Sequence, residues 1–207
     1  MPRGFTTVEK ERIREKLMEA GRNCFLRYGL KKTTIEDLTA AAEIAKASFY
    51  LFFDSKEALY AEIMFREMPA MMKRLAAASY EKCDDAREAL VLFMQALVRE
   101  IETNPFSKVI IDQANELERL ARALDFEEIL ERAQSLFVPI YEWFVEKQNE
   151  GQIISGDPQE LIYALALIKL LPINRDRIPE RLYTQMLELI PRVIADGLTC
   201  PARKGVG

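Results

Sequence analysis

Residues 46–51 read Lys-Ala-Ser-Phe-Tyr-Leu, a run that carries one cation, one hydroxyl and one phenol and has no acid before Asp54. At helical spacing Phe49 turns inward with Phe53, which leaves Lys46, Ala47, Ser48, Tyr50 and Leu51 on the outer face. Such a face suits recognition and not bond-making. A lysine can donate to guanine O6 and N7, and alanine and serine allow close approach to base edges and thymine methyl groups. The chain contains no histidine. That removes the commonest general base, the Ser/Cys–His–acid arrangements and the usual transition-metal ligand. No phosphate loop or metal-ligand cluster replaces them, so the expectation is a non-enzyme with no cofactor and no metal.

The elements that must hold this run are all helical. Thr34, with Asp37 three residues later, caps a short helix over 35–42. Glu43-Ile44-Ala45 breaks it, and a second short helix covers 46–52. Ile35, Leu38, Ala42, Ile44, Phe49 and Phe53 form the buried face, so the spacing is that of a helix-turn-helix. Thr6 and Glu9 make a capping box for a helix over 7–28 that Gly29 closes, and Asp54 or Ser55 opens one over 55–78. Further helices are expected over 85–103, 106–122, 126–150, 158–171 and 178–197, with Asp157 at the N-cap and Pro158 at the first turn of the eighth. Pro139 should kink its helix or remove one hydrogen bond. The chain thus reads as all-α with about nine helices.

At Phe25, Tyr28-Gly29, Lys32-Thr33-Thr34-Ile35, Asp37-Leu38, Ala42, Ile44, Lys46, Phe49-Tyr50, Phe53 and Ser55-Lys56-Glu57-Ala58-Leu59, the sequence resembles the tetracycline-repressor (TetR) family of bacterial regulators. The match covers about residues 10–62. The resemblance implies a division into a DNA-binding head over 1–54 and a helical effector-binding and dimerisation domain over 55–207. It also implies a homodimer whose heads insert helix 46–52 into successive major grooves of a palindromic operator, and a body whose small effector changes the separation of the heads. Carried over by position, Thr34 and Tyr50 would contact phosphates, Lys46, Ala47 and Ser48 would face base edges, and Lys56 would neutralise a phosphate. Other roles stay open: Thr34 as a plain N-cap, Tyr50 as a lid on the head's core, Lys56 as a solvated first-turn residue, and Ser48 bonded to its own backbone. Three residues depart from the family pattern. Glu43 stands where the turn usually has glycine, Ala45 replaces a capping serine or threonine, and Thr39 takes a usual alanine position.

In the body, Phe93, Gln113, Phe137, Tyr141 and Phe144 are the candidate lining of an effector pocket, whose mostly apolar surface suits an uncharged or amphipathic ligand; the alternative is that they are core residues, with Gln113 bonded to a neighbouring backbone. Helix 158–171 is apolar nearly all round, and one face suffices for an internal core. The second apolar face should meet a partner subunit, with Ile162, Leu165, Ile168, Met186 and Ile190 as the candidate interface; the alternative is one fully buried central helix in a monomer.

The charge distribution fits this division. The chain carries a net charge of −4, yet residues 1–59 hold 11 Lys+Arg against 9 Asp+Glu. A basic head on an acidic body is compatible with DNA binding at one end. Three scattered cysteines suggest neither disulfides nor a zinc site. The longest apolar stretch is too short to span a bilayer, and the N-terminus lacks a secretory apolar region, so the expected location is the cytoplasm, with no membrane partner. The function expected is a ligand-responsive repressor. The alternative is a helical ligand-binding protein whose head no longer binds DNA.

Overall fold

The computed structural model describes residues 5–106 and 126–199, with the backbone alone over 126–134. Its elements are α1 (Thr7–Lys32), α2 (Ile35–Ala41), a 3-10 helix (Lys46–Leu51), α3 (Lys56–Ala78), α4 (Ala86–Thr103), α5 (Phe126–Asn149), α6 (Pro158–Ala166), α7 (Leu170–Ile173) and α8 (Glu180–Leu198). Short 3-10 turns at Leu167–Lys169 and Arg175–Arg177 flank α7. Among the described residues the only strand-like pairing is an isolated bridge between Ile153 and Thr199. The expected helix over 106–122 lies outside the described residues, apart from Phe106.

Local signals set the helix ends. Thr6 accepts from the Glu9 N–H at 3.3 Å while the Thr6 N–H donates to the Glu9 carboxylate at 2.7 Å, completing the capping box. Gly29 adopts φ 75°, and the backbone then makes one further turn to Lys32. The Asp157 carboxylate accepts from the Gln159 N–H at 2.8 Å, with Pro158 in the first turn of α6. Pro69, Pro139 and Pro191 all lie inside helices.

The chain divides into two compact units, one of Met1–Met68 with Pro105–Arg132 and one of Pro69–Asn104 with Ala133–Gly207. In the first, Leu17, Phe25, Leu38, Phe49, Leu59 and Tyr60 are almost fully buried. Phe25 meets the Tyr60 ring edge-on at 5.2 Å, and Phe106 stacks on the same ring at 5.1 Å. Burial of each such ring contributes on the order of 1.5–3 kcal/mol.

In the second unit α4 is strongly amphipathic. Leu90, Phe93, Met94 and Val98 enter a core shared with α5, α6 and α8. The segment over 158–171 is not one helix: α6 tightens into the 3-10 turn at Leu167–Lys169 before α7. Leu171-Pro172 follows, and a proline cannot donate to the preceding turn.

Candidate nucleic-acid interface

The turn after α2 is a Schellman motif. The Glu43 N–H donates to Ala40 O at 3.2 Å and the Ile44 N–H to Thr39 O at 3.0 Å, which satisfies carbonyls that the helix end would leave free. Glu43 holds the left-handed position at φ 60°, the only non-glycine residue to do so among those described. A side chain there costs roughly 1 kcal/mol. Lys16 of α1 donates to the Glu43 carboxylate at 2.5 Å and holds its pKa below the usual glutamate range.

Beyond the turn, Ala45 offers no side-chain cap and the following segment winds as a 3-10 helix. Phe49 is fully buried and anchors it to α1 and α2 in the head core. Its far end is tied down twice. Arg14 lies 4.7 Å from the centre of the Phe53 ring and donates to Phe52 O at 3.5 Å, and Phe5 packs 6.2 Å from the Phe52 ring. The outer face presents Lys46, Ala47, Tyr50 and Leu51 to solvent, with Ser48 half-buried.

A polar cleft of about 350 Å³ separates this face from the starts of α2 and α3, lined by Thr34, Lys46, Tyr50, Ser55 and Lys56 among others. Four of the six residues expected to bind DNA therefore meet at one opening. Thr34 is engaged in its cap: its hydroxyl donates to Asp37 at 2.7 Å and accepts from the Asp37 N–H at 3.1 Å. The hydroxyl bond, and the Thr34 N–H bond to the same carboxylate at 2.9 Å, lower the Asp37 pKa. Ser55 caps α3, its hydroxyl accepting from the Ala58 N–H at 3.0 Å.

Two lysines are not free in the way their positions suggest. Lys46 is paired with Glu36, at the start of α2, and the bond lowers the Glu36 pKa and raises that of Lys46. Lys56 was expected to serve a phosphate. Instead its ammonium donates to Leu30 O at 2.7 Å, Thr33 O at 2.8 Å and Lys31 O at 3.3 Å. A lysine has three donors, so Lys56 is committed to the C-terminal carbonyls of α1, where a cation is also favoured by the helix dipole.

Residues 17–63 match the family model described as bacterial regulatory proteins, tetR family. The HTH-type transcriptional repressor DhaR of Mycobacterium sp. strain GP1 is 36% identical over 69 residues, 33% of this chain and 34% of that one. The HTH-type transcriptional repressor KstR2 of Rhodococcus jostii RHA1 is 27% identical over 123 residues, 51% of this chain and 60% of that one. A solved TetR-family transcriptional regulator from Pectobacterium atrosepticum superposes with a TM-score of 0.68, covering 95% of this chain and 99% of that one at 19% identity. Over residues 17–63 the chain is similar to the TetR family of bacterial regulatory proteins. It spans between about a third and three-fifths of the length of these curated relatives.

Against the TetR pattern, the three departures have distinct structural consequences. Glu43 takes the strained conformation where glycine is usual, and Ala45 leaves the 3-10 helix without a side-chain cap. Thr39 is buried and returns its hydroxyl to Ile35 O at 2.9 Å, so it leaves no unmet polar group.

Phe93 and Phe144 sit in the core of the second unit with Phe137 partly buried against it. Tyr80 and Trp143 extend this aromatic cluster, with rings 5.5 Å apart, and Tyr80 was not foreseen as part of it. Tyr141 points away and is exposed, because Ile140, Trp143 and Phe144 take the inward positions of α5. Gln113 lies outside the described residues.

Three of the five expected interface residues, Ile162, Leu165 and Ile168, require correction. Ile162, Leu165 and Ile168 are buried in the chain's own core, and Met186 and Ile190 pack against it. The exposed apolar positions are Tyr163, Leu167 and Leu170 on the α6–α7 segment and Leu182, Leu189 and Val193 on α8. Each trio recurs at intervals of three, four or seven residues, so two outward stripes exist.

Proposed function

We propose that the protein is a ligand-responsive transcriptional repressor that binds a palindromic operator as a homodimer and is released by a small, mostly apolar effector. The observation that carries this reading is the outer face of exposed Lys46, Ala47 and Tyr50 and half-buried Ser48 on a segment anchored by Phe49, beside a cleft where α2 and α3 both begin. Helix N-termini direct free N–H groups at phosphate, and small side chains let the segment approach base edges. In this reading Lys46, Ala47 and Ser48 face bases while Thr34 and Tyr50 face phosphates. Lys56 orders the cleft from within.

The body supplies the other two parts of the proposal. Its aromatic cluster around Phe93, Phe137 and Phe144 suits an uncharged effector, and the outward stripes on α6–α7 and α8 suit a second copy of the chain. Effector binding would favour a head spacing that no longer fits half-sites roughly 34–36 Å apart. The division into a 1–54 head and a 55–207 body belongs to the same proposal. No helix among the described residues is long and apolar enough to cross a membrane, and the proposed place of action is the cytoplasm.

Recovery and sequencing of bound genomic fragments tests this reading. The expected result is an inverted repeat protected over two half-sites one helical turn apart. Recovery of no enriched sequence would favour a ligand-binding protein with a degenerate head, to which the strained Glu43 and uncapped Ala45 lend support.

A further inference from the structure

Lys46 is the single charged residue of the 3-10 helix. In the free protein its ammonium is held by Glu36, so the outer face of that helix is electrically neutral. The surrounding cleft is balanced as well, with Lys31, Lys46 and Lys56 set against Glu36, Asp54 and Glu57. Glu36 and Lys46 both keep more than half of their side chains exposed, at 61% and 56%. An exposed pair of this kind biases an equilibrium by no more than about fivefold, so DNA can break it.

We propose that Glu36 is a specificity-determining residue of the head: by holding Lys46, its carboxylate penalises duplexes that offer only phosphates more than the operator. This rests on the regulator reading above. Non-specific binding is driven almost wholly by cations that neutralise phosphates and release counterions. Glu36 withholds one such cation and sets a negative charge at the cleft mouth. A duplex that places guanine O6 and N7 before Lys46 gives the ammonium two good acceptors and recovers what the broken pair loses. A duplex without that edge recovers only a screened phosphate contact.

The test compares the full-length wild type, Glu36→Gln, Lys46→Ala and the double variant on a recovered operator and on a short unrelated duplex, across a salt series. Circular dichroism confirms that each variant is folded. Glu36→Gln should tighten binding to the unrelated duplex by up to about fivefold and steepen its log–log salt slope by about 0.9, the increment for one further neutralised phosphate. Operator affinity should change less, and the effect should shrink in the Lys46→Ala background. Equal changes on both duplexes, no change on the unrelated duplex, or the same effect without Lys46 would overturn the role of Glu36 while leaving the regulator reading intact. A wild type that binds neither duplex would overturn both.

Discussion

The ammonium of Lys56, in the first turn of α3, donates to Thr33 O at 2.8 Å, at the residue that ends α1 and precedes the cap of α2. One side chain thereby joins the ends of three helices around the polar cleft. It also donates to Leu30 O and Lys31 O. Lys56→Met should destabilise the head by about 1–3 kcal/mol, the range for losing charge-assisted bonds to partly buried carbonyls. Denaturant unfolding without DNA measures it. Lys56→Arg should restore little, because a planar guanidinium does not match three converging carbonyl oxygens. A lysine serving only phosphate would leave the free protein's stability unchanged.

The left-handed backbone at Glu43 gives a second prediction. Glu43→Gly should stabilise the head by up to roughly 1 kcal/mol, since glycine adopts φ 60° without steric cost and the lost Lys16 pair is exposed. Glu43→Ala loses the pair and keeps the strain, so it should be neutral or destabilising. The midpoint of urea unfolding distinguishes the two substitutions.

Leu165 and Leu189 should respond oppositely to the same change. Leu165 is fully buried, so Leu165→Glu places a charge in the core and should abolish folding of the second unit. Leu189 is 60% exposed, so Leu189→Glu should leave helicity intact and convert dimer to monomer. Light scattering with circular dichroism reads both, and a Leu189→Glu protein that remains dimeric would remove α8 from the interface.

Tyr183 carries a prediction about pH. It is buried with its hydroxyl donating to Glu102 at 2.6 Å, and burial first and that carboxylate second push its pKa up to about 12. Arg175 lies over its ring at 4.5 Å and pairs with Glu102 at 3.0 Å. The native state keeps the phenol proton that the unfolded chain releases near pH 10. This contribution is therefore complete below pH 10 and fades as pH rises towards 12. Thermal melts of wild type and Tyr183→Phe between pH 8 and 11.5 should show a smaller alkaline loss for the variant.

The residues that announced themselves in the sequence are those whose partners lie within a turn of helix. Thr6 with Glu9, Thr34 with Asp37 and Asp157 ahead of Pro158 sit close enough in sequence for spacing to define the bond. The carbonyl bonds of Lys56 were not legible because its acceptors lie 23 to 26 residues earlier and become neighbours only when α1 and α3 pack. The pairing of Lys46 with Glu36 bridges ten residues. A helix-turn-helix brings those positions together, so opposite charges there were a signal open to use. Leu165 and Leu167 show a different limit. Where every position of a helix is apolar, composition reveals two faces but not which is internal, and packing against α4 makes that choice. Tyr141 was misplaced for the same reason, since aromatic type alone does not fix the rotation of α5.

The most direct test of the account is the salt dependence of binding by the wild-type chain to its recovered operator. The log of the binding constant should fall linearly with the log of salt concentration, with a slope of about −0.9 for each phosphate neutralised and several phosphates in total. Affinity for an unrelated duplex should be weaker by roughly a thousandfold or more at physiological salt. A shallow slope with no preference between the two duplexes would contradict the assignment of residues 34–56 as a DNA-reading surface.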